Sequence, residues 1–151
     1  MNHEAYMEEA LSLARQALME GEVPVGCVIV REGRIIGRGR NRREGAHNAL
    51  AHAEIEAIDD ACRTLGSWRL LDTTLYVTLE PCPMCAGAII NARIPVVRYG
   101  ARDAKAGCCG SVLNLFSEPF NHCPKLYGQL LEPACGKLLQ DFFATLRFPG
   151  K

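Results

Sequence analysis

The sequence contains no long apolar run: no stretch of about 18 consecutive apolar residues occurs, so we expect no transmembrane helix and no membrane partner. The first residues, MNHEAYMEEALSL, lack a basic segment followed by an apolar one, so we expect no secretory signal. Internal repeats, low-complexity tracts and linkers are also absent. The formal net charge is zero, so overall charge does not indicate a polyanionic partner. A chain of 151 residues with ordinary composition predicts a single domain over residues 1–151.

Cysteine, by contrast, is abundant, at eight residues. Without a secretory signal we expect a reducing, cytoplasmic compartment, where a Cys-x-x-Cys pair serves metal or redox chemistry more often than a structural disulfide. Cys82 and Cys85 form such a pair, and His52 and Glu54 precede it by about thirty residues. One imidazole and two thiolates are a soft ligand set suited to Zn²⁺. Three protein ligands leave one tetrahedral position for water, which is typical of a catalytic zinc.

Apolar periodicity divides the chain into helices and strands. The predicted helices cover residues 2–20, 51–65, 83–92 and 133–147. The predicted strands cover residues 27–31, 34–39, 73–79 and 94–99, with a further short strand near 126–131 after a long loop. Strands that alternate with helices predict an α/β protein whose sheet is covered by helices on both faces.

The two motifs are predicted to lie at helix starts. His52 and Glu54 would point to nearly opposite sides in mid-helix, but they can share a site if the helix begins at His52. Cys82 and Cys85 fall on one face of a first turn that starts at Pro83. The positive ends of both helix dipoles would then favour thiolates and a bound hydroxide. The spacing therefore predicts one site built from two helix N-termini.

Other interpretations of the cysteines remain open at this point. Cys-x-x-Cys alone also fits a redox pair or half of a zinc ribbon. A fourth ligand from Cys108, Cys109, Cys123 or His47 would make the zinc structural. A structural site explains neither Glu54 nor the prolines on both sides of Cys82.

His-x-Glu followed by Pro-Cys-x-x-Cys is typical of the zinc-dependent cytidine/adenosine deaminase superfamily. Over nearly its whole length the chain resembles the bacterial tRNA-specific adenosine deaminases. The stretch 100–107, Gly-Ala-Arg-Asp-Ala-Lys-Ala-Gly, is the most discriminating, because the zinc motif is common to many nucleobase and nucleoside deaminases. The other matching stretches are 22–26, 41–42, 51–54, 79–88, 121–122 and 141–143.

The resemblance implies a cytidine deaminase-like fold, a three-layer α/β/α arrangement with a central mixed five-stranded sheet. It implies hydrolytic deamination of adenosine to inosine at the wobble position in the anticodon loop of an arginine tRNA. His52, Cys82 and Cys85 would bind one Zn²⁺ per subunit, and zinc-activated hydroxide would attack C6. Glu54 would carry protons from the water to ring N1 and to the departing ammonia. Family members act as homodimers whose two subunits both touch RNA.

The resemblance also assigns the substrate residues. Asn41 would hydrogen-bond the flipped base, although an Asx turn would equally place an asparagine there. Val23, Val25 and Ala53 would wall the base, although both valines could be plain core. Asp103 would lie beside the nucleotide. The candidate contacts to the anticodon loop are Arg102, Lys105, His122 and Phe143, the last of which could instead pack in the core.

Six arginines between Arg31 and Arg43 form a basic cluster that could be a solvated hairpin or could face RNA. Two rival functions remain. A deaminase of free nucleobases or nucleotides (guanine, cytosine or a pterin-like base) would have the same zinc chemistry, but it would not need Arg102, Asp103 and the basic hairpin. A non-catalytic, zinc-stabilised RNA-binding subunit would not need Glu54. Cys108 and Cys109 stand where the family usually has small residues, and we find no physical reason for them.

Overall fold

The computed structural model describes residues 2–147. Its helices are α1 (His3–Met19), α2 (Ala53–Leu65), α3 (Pro83–Asn91) and α4 (Glu132–Arg147). Its strands are β1 (Gly26–Arg31), β2 (Arg34–Arg40), β3 (Thr73–Leu79), β4 (Val96–Ala101) and β5 (Lys125–Tyr127). A single 3₁₀ turn, Leu115–Ser117, interrupts the long loop between β4 and β5. None of the described helices is long and apolar enough to cross a membrane.

The five strands form one mixed sheet in the order β2-β1-β3-β4-β5. β1 pairs antiparallel with β2 and β3, whereas β3, β4 and β5 are parallel neighbours. α1 and α4 cover one face, and α2 and α3 cover the other. The buried apolar side chains of β1, β3 and β4 lie between these layers. The predicted three-layer α/β/α fold with a mixed five-stranded sheet is confirmed.

Most element boundaries shift by one or two residues from the prediction, as for β4, which covers Val96–Ala101 and not 94–99, and two of the differences have a local cause. α2 begins at Ala53 and not at residue 51, because the Ala51 carbonyl accepts a hydrogen bond from the Arg42 amide and His52 stays extended as the N-cap. β5 ends at Tyr127 and does not reach residue 131, because Gln129 and Leu131 adopt φ of 65° and 53° and turn the chain. Both differences arise from contacts or turns that apolar periodicity does not encode.

A close approach of α2 to β2 sets where the start of α2 lies. A Cβ on Gly39 would sit 2.1 Å from the Ala53 carbonyl oxygen, so only glycine permits this contact. β3 runs towards the same edge of the sheet and continues through Glu80 and Pro81 to Cys82, where α3 starts. The fold therefore brings the N-termini of α2 and α3 together at the carboxyl end of β3.

Candidate metal centre and substrate cavity

One histidine and two cysteines meet where α2 and α3 begin. His52 is the N-cap of α2, Cys82 is the N-cap of α3, and Cys85 lies in the first turn of α3. Nδ1 of His52 lies 3.6 Å from Sγ of Cys82 and 3.5 Å from Sγ of Cys85. A tetrahedral zinc bonded at about 2.3 Å to sulfur and about 2.05 Å to nitrogen separates such ligands by about 3.6 Å. The three ligand atoms lie within 4.8 Å of one another and fit a zinc ion.

Hydrogen bonds among the three side chains shift their pKa values. The hydrogen bond with the Cys85 thiol, aided by His52, lowers the pKa of Cys82 to about 4. The same bond, together with burial, raises the pKa of Cys85. The contact with Cys82 raises the pKa of His52. Cys82 is therefore a thiolate at neutral pH, and a bound metal would displace the proton that Cys85 keeps.

Glu54 lies in the first turn of α2 beside these ligands, with only 4 % of its surface exposed. Burial raises the pKa of Glu54 to about 7. A carboxyl with a pKa near neutral can both accept and return a proton at working pH. The geometry and the pKa of Glu54 suit a proton carrier.

A cavity of about 900 Å³ opens at this edge of the sheet. His52, Glu54 and Cys82 contribute to its wall. Eight further lining residues are ones that the sequence singled out, namely Val23, Val25, Asn41, Ala53, Arg102, Asp103, Lys105 and Phe143. The structure thus gathers two of the predicted ligands, the predicted proton carrier and eight of the nine other predicted site residues around one space, and the third ligand, Cys85, contacts His52 from outside the lining.

His122 is the predicted residue that does not reach the cavity. Its Nε2 lies 2.7 Å from the Ile94 carbonyl oxygen and donates to it. Ile94 precedes β4, so His122 lies near the opposite edge of the sheet from Cys82. Phe143 does line the cavity and is 50 % exposed, while Phe142 packs edge-on against it with ring centroids 5.4 Å apart.

Asn41 and Asp103 each use the side chain to shape a turn. Oδ1 of Asn41 accepts from the Arg43 amide at 3.3 Å, and its Nδ2 donates to the Val23 carbonyl at 3.4 Å. Oδ1 of Asp103 accepts from the amides of Lys105 and Ala106. The Asx turn considered for Asn41 is therefore present, and the same side chain also lines the cavity.

Sequence reasoning did not single out Arg43. Within the basic cluster, Arg40 pairs with Glu20 and Arg42 pairs with Glu56, both at 2.7 Å. Arg43 lines the cavity instead and has no ion pair among residues 2–147. Two apolar residues of α4, Leu139 and Leu146, also line the cavity and were missed. Their helical spacing relative to Phe143 was the available signal.

Comparison with known proteins places the chain among deaminases. The profile of the MafB19-like deaminases matches residues 1–147. A tRNA-specific adenosine deaminase of Bacillus subtilis is 50 % identical over 145 residues, which are 95 % of this chain and 90 % of that protein. A tRNA-specific adenosine deaminase of Agrobacterium fabrum is 46 % identical over 143 residues, or 94 % of both chains.

Comparison with solved structures also places the chain among deaminases. A chain from a study of A-to-I editing by tRNA deaminases at the wobble position of transfer RNA superposes with a TM-score of 0.87 at 46 % identity, covering 89 % of this chain and 99 % of that one. The guanine deaminase of Nitrosomonas europaea superposes with a TM-score of 0.84 at 25 % identity, covering 95 % and 85 %. The chain therefore belongs to the MafB19-like deaminase family and to the family of tRNA-specific adenosine deaminases.

Proposed function

We propose that this protein is a zinc-dependent deaminase that converts adenosine to inosine at the wobble position of an arginine tRNA. The observation that carries the proposal is a buried Glu54 beside three converging metal ligands, in a cavity with cationic side chains in its lining. The relatives named as tRNA-specific adenosine deaminases support the choice of substrate. Because the proposed substrate is a tRNA, we also propose that the enzyme works in the cytoplasm.

His52, Cys82 and Cys85 would hold one zinc ion per subunit. When bound, the ion supplies a Lewis acid that turns water into a nucleophile near neutral pH. Glu54 is placed to take a proton from that water and to deliver it to ring N1 of the base. Glu54 would next take the proton from the hydroxyl group added at C6 and pass it to the amine, so that the C6–N bond breaks, ammonia leaves and a C6 carbonyl remains. A pKa of about 7 suits both transfers, because neither protonation state of Glu54 is strongly favoured.

The cavity can hold more than one nucleobase, because about 900 Å³ is near the top of the range of about 300–1,000 Å³ that drug-sized ligands occupy. We assign Val23, Val25, Asn41 and Ala53 to the flipped base and Asp103 to the adjoining sugar and loop. Arg102, Lys105 and Arg43 would contact phosphates, and Phe143 would stack on a neighbouring base. His122 does not line the cavity, so its proposed RNA contact would lie away from the flipped nucleotide.

We further propose a homodimer of single-domain subunits, each spanning residues 1–151. One continuous core supports the single domain. Large apolar side chains outside the cavity that are about half exposed or more support a subunit interface, namely Met19, Leu50, Trp68, Leu71, Val112, Leu113 and Phe120. Light scattering at several protein concentrations tests the dimer, and a monomer at all concentrations would contradict it.

The function is tested by incubating the zinc-loaded protein with an arginine tRNA that carries adenosine at the wobble position. Inosine is read by sequencing as a change from A to G. We expect conversion at this adenosine and at no other adenosine of the tRNA. The second candidate is a guanine deaminase, which the similarity to the Nitrosomonas europaea enzyme favours. Release of ammonia from free guanine, with no inosine in the tRNA, would overturn the proposal in favour of that candidate.

A further inference from the structure

Two buried glutamates have no part in the proposed reaction. Glu22 is 3 % exposed and Glu80 is 2 % exposed. Neither forms an ion pair within residues 2–147. A buried carboxylate is costly unless it accepts hydrogen bonds, so the groups that surround these two residues indicate what they do.

The Glu80 carboxylate binds one loop through four hydrogen bonds. Its Oε1 accepts from the Asp103 amide at 3.1 Å and from the Ser111 hydroxyl. Its Oε2 accepts from the Cys109 and Ser111 amides, each at 3.0 Å. The loop closes tightly round the carboxylate, because a Cβ on Gly107 would lie 2.4 Å from it. Residues 102–111 are thus folded around the charge of Glu80, the residue that directly follows β3.

Glu22 holds a second loop in the same way. Its Oε1 accepts from the Glu44 amide at 3.1 Å, and its Oε2 accepts from the Gly45 amide at 2.7 Å. These amides belong to residues 41–50, which connect β2 to the start of α2. Glu22 directly precedes Val23 of the cavity wall.

Both loops line the cavity. The loop held by Glu80 contributes Arg102, Asp103 and Lys105 to the lining, and the loop held by Glu22 contributes Asn41 and Arg43. Glu80 is also joined by one residue, Pro81, to the metal ligand Cys82. Each carboxylate therefore ties a substrate loop to the framework that carries the metal ligands or the base wall.

We infer that Glu22 and Glu80 are positioning residues that set the two loops for binding RNA without contacting the reacting atoms. This inference rests on the proposed function only in naming RNA as the ligand of the loops. A carboxylate is required because each of its two oxygens accepts hydrogen bonds from the loop. An amide of the same shape would turn an NH₂ group towards backbone N–H donors. Replacing either carboxylate with an amide should therefore weaken substrate binding more than it slows the chemical step.

The test compares Glu80→Gln and Glu22→Gln with two exposed controls outside both loops, Glu118→Gln and Glu9→Gln, all in the full-length zinc-loaded protein. On an anticodon stem-loop RNA we expect KM to rise about tenfold in each buried variant, with kcat within about threefold of wild type, because misplaced binding groups weaken positioning. Zinc content should be unchanged. The conservative Glu80→Asp variant keeps the charge and should recover part of the lost affinity. The controls should match wild type.

Amide hydrogen exchange gives a readout that does not require activity. In Glu80→Gln, exchange should accelerate at Asp103, Cys109 and Ser111 and not at Glu44 and Gly45. In Glu22→Gln, exchange should accelerate at Glu44 and Gly45 and not at Asp103, Cys109 and Ser111. If Glu80→Gln does not fold, Ser111→Ala removes one donor to the same carboxylate and should raise KM about threefold, because a single hydrogen bond is lost.

Unchanged KM together with a lower melting temperature would overturn the inference, because it would show a purely structural role. A fall in kcat at constant KM would also overturn it, since that would place these groups in the chemistry. Should wild-type protein fail to convert the stem-loop, the proposed function fails by itself. The exchange pattern then decides the positioning role: acceleration confined to each loop supports it, and uniform or absent acceleration refutes it.

Discussion

Burial gives the carboxyl of Glu54 a pKa of about 7, whereas an ordinary glutamate, at 4.5, is almost fully ionised near neutral pH. The residue type alone therefore does not suit Glu54 to the proposed proton transfer; its burial in the first turn of α2 does. His52 and Cys82 acquire their roles in the same way, because both are N-caps whose side chains project beyond a helix end.

Replacing the carboxyl of Glu54 should remove catalysis and leave the metal centre intact. We expect Glu54→Gln to lower kcat for inosine formation by about 10²–10⁴-fold, the usual contribution of general acid–base catalysis. Zinc content, measured by elemental analysis, should equal that of wild type. Glu56→Gln is the matched control, because Glu56 lies in the same helix and pairs with Arg42. A loss of less than about tenfold in Glu54→Gln would refute the proton-carrier role.

Arg43 should contribute to RNA affinity more than its neighbours in the basic cluster. We expect Arg43→Ala to raise KM for the stem-loop several-fold and to reduce the dependence of log KM on log salt by about 0.7, as for loss of one phosphate contact on a single strand. Arg38→Ala, at an exposed position of the hairpin outside the cavity, is the control. Equal effects of the two substitutions would show that only the general positive charge of the hairpin matters.

The roles of single residues could be predicted only where they depend on local spacing. The ligands and Glu54 lie within two short motifs, so sequence distance was enough to place them. Sequence spacing could not tell which arginines of the cluster are free to face RNA. Arg40 and Arg42 are neutralised by Glu20 and Glu56, which lie 20 and 14 residues away. Within residues 2–147, Arg43 is left without an ion-pair partner only because of how the chain folds.

At the scale of elements, α2 is held against β2 by glycines that leave no room for a side chain. Gly39→Ala forces a Cβ to within 2.1 Å of the Ala53 carbonyl, so the first turn of α2 has to move. We expect a loss of about 1–3 kcal/mol in the free energy of unfolding, as for overpacked cores. We also expect kcat to fall, because Glu54 lies in the displaced turn.

Gly136→Ala in α4 is the control for this prediction, since a Cβ there meets nothing within 4 Å. It should stabilise the protein by about 0.5–1 kcal/mol through helix propensity. Thermal unfolding and steady-state kinetics measure both variants. If Gly39→Ala were as stable and active as wild type, the close approach would not be what positions α2.

The loop around Glu80 should respond to acid. Burial tends to raise the pKa of Glu80, but the hydrogen bonds from Ser111, Asp103 and Cys109 outweigh it, so this pKa lies below the ordinary 4.5. A carboxyl whose pKa is depressed by folding adds stability at high pH and loses that contribution as the pH falls through its folded value. Between about pH 6 and about pH 3, wild type should lose more unfolding free energy than Glu80→Gln.

Urea titrations of both proteins at each pH measure this difference. The comparison isolates Glu80, because protonation of the metal ligands is common to the two proteins. Parallel pH dependence of the two unfolding free energies would contradict a depressed pKa. The apolar periodicity of the sequence could not predict the conformation of this loop, because that conformation depends on Glu80, which lies more than twenty residues before Asp103. The helices and central strands were predictable because their apolar spacing is local.

For the molecule as a whole, a formal net charge of zero conceals an uneven distribution. Arg43, Arg102 and Lys105 line one cavity, so a locally basic surface exists on a chain whose total charge does not indicate one. The fold places this surface over the same edge of the sheet as the metal ligands. The guanine deaminase with a similar fold shows that the fold alone does not select the substrate, so the loops at this edge must.

Zinc-dependent inosine formation tests the proposed function most directly. Metal is removed with a chelator, and zinc is then restored in steps while inosine is measured in an arginine tRNA anticodon stem-loop, with free guanine and free adenosine assayed in parallel. We predict no inosine without zinc and a rate that rises linearly to a plateau at one zinc per subunit, with negligible ammonia from the free compounds. Full activity of the metal-free protein, or ammonia from free guanine with none from the stem-loop, would contradict it.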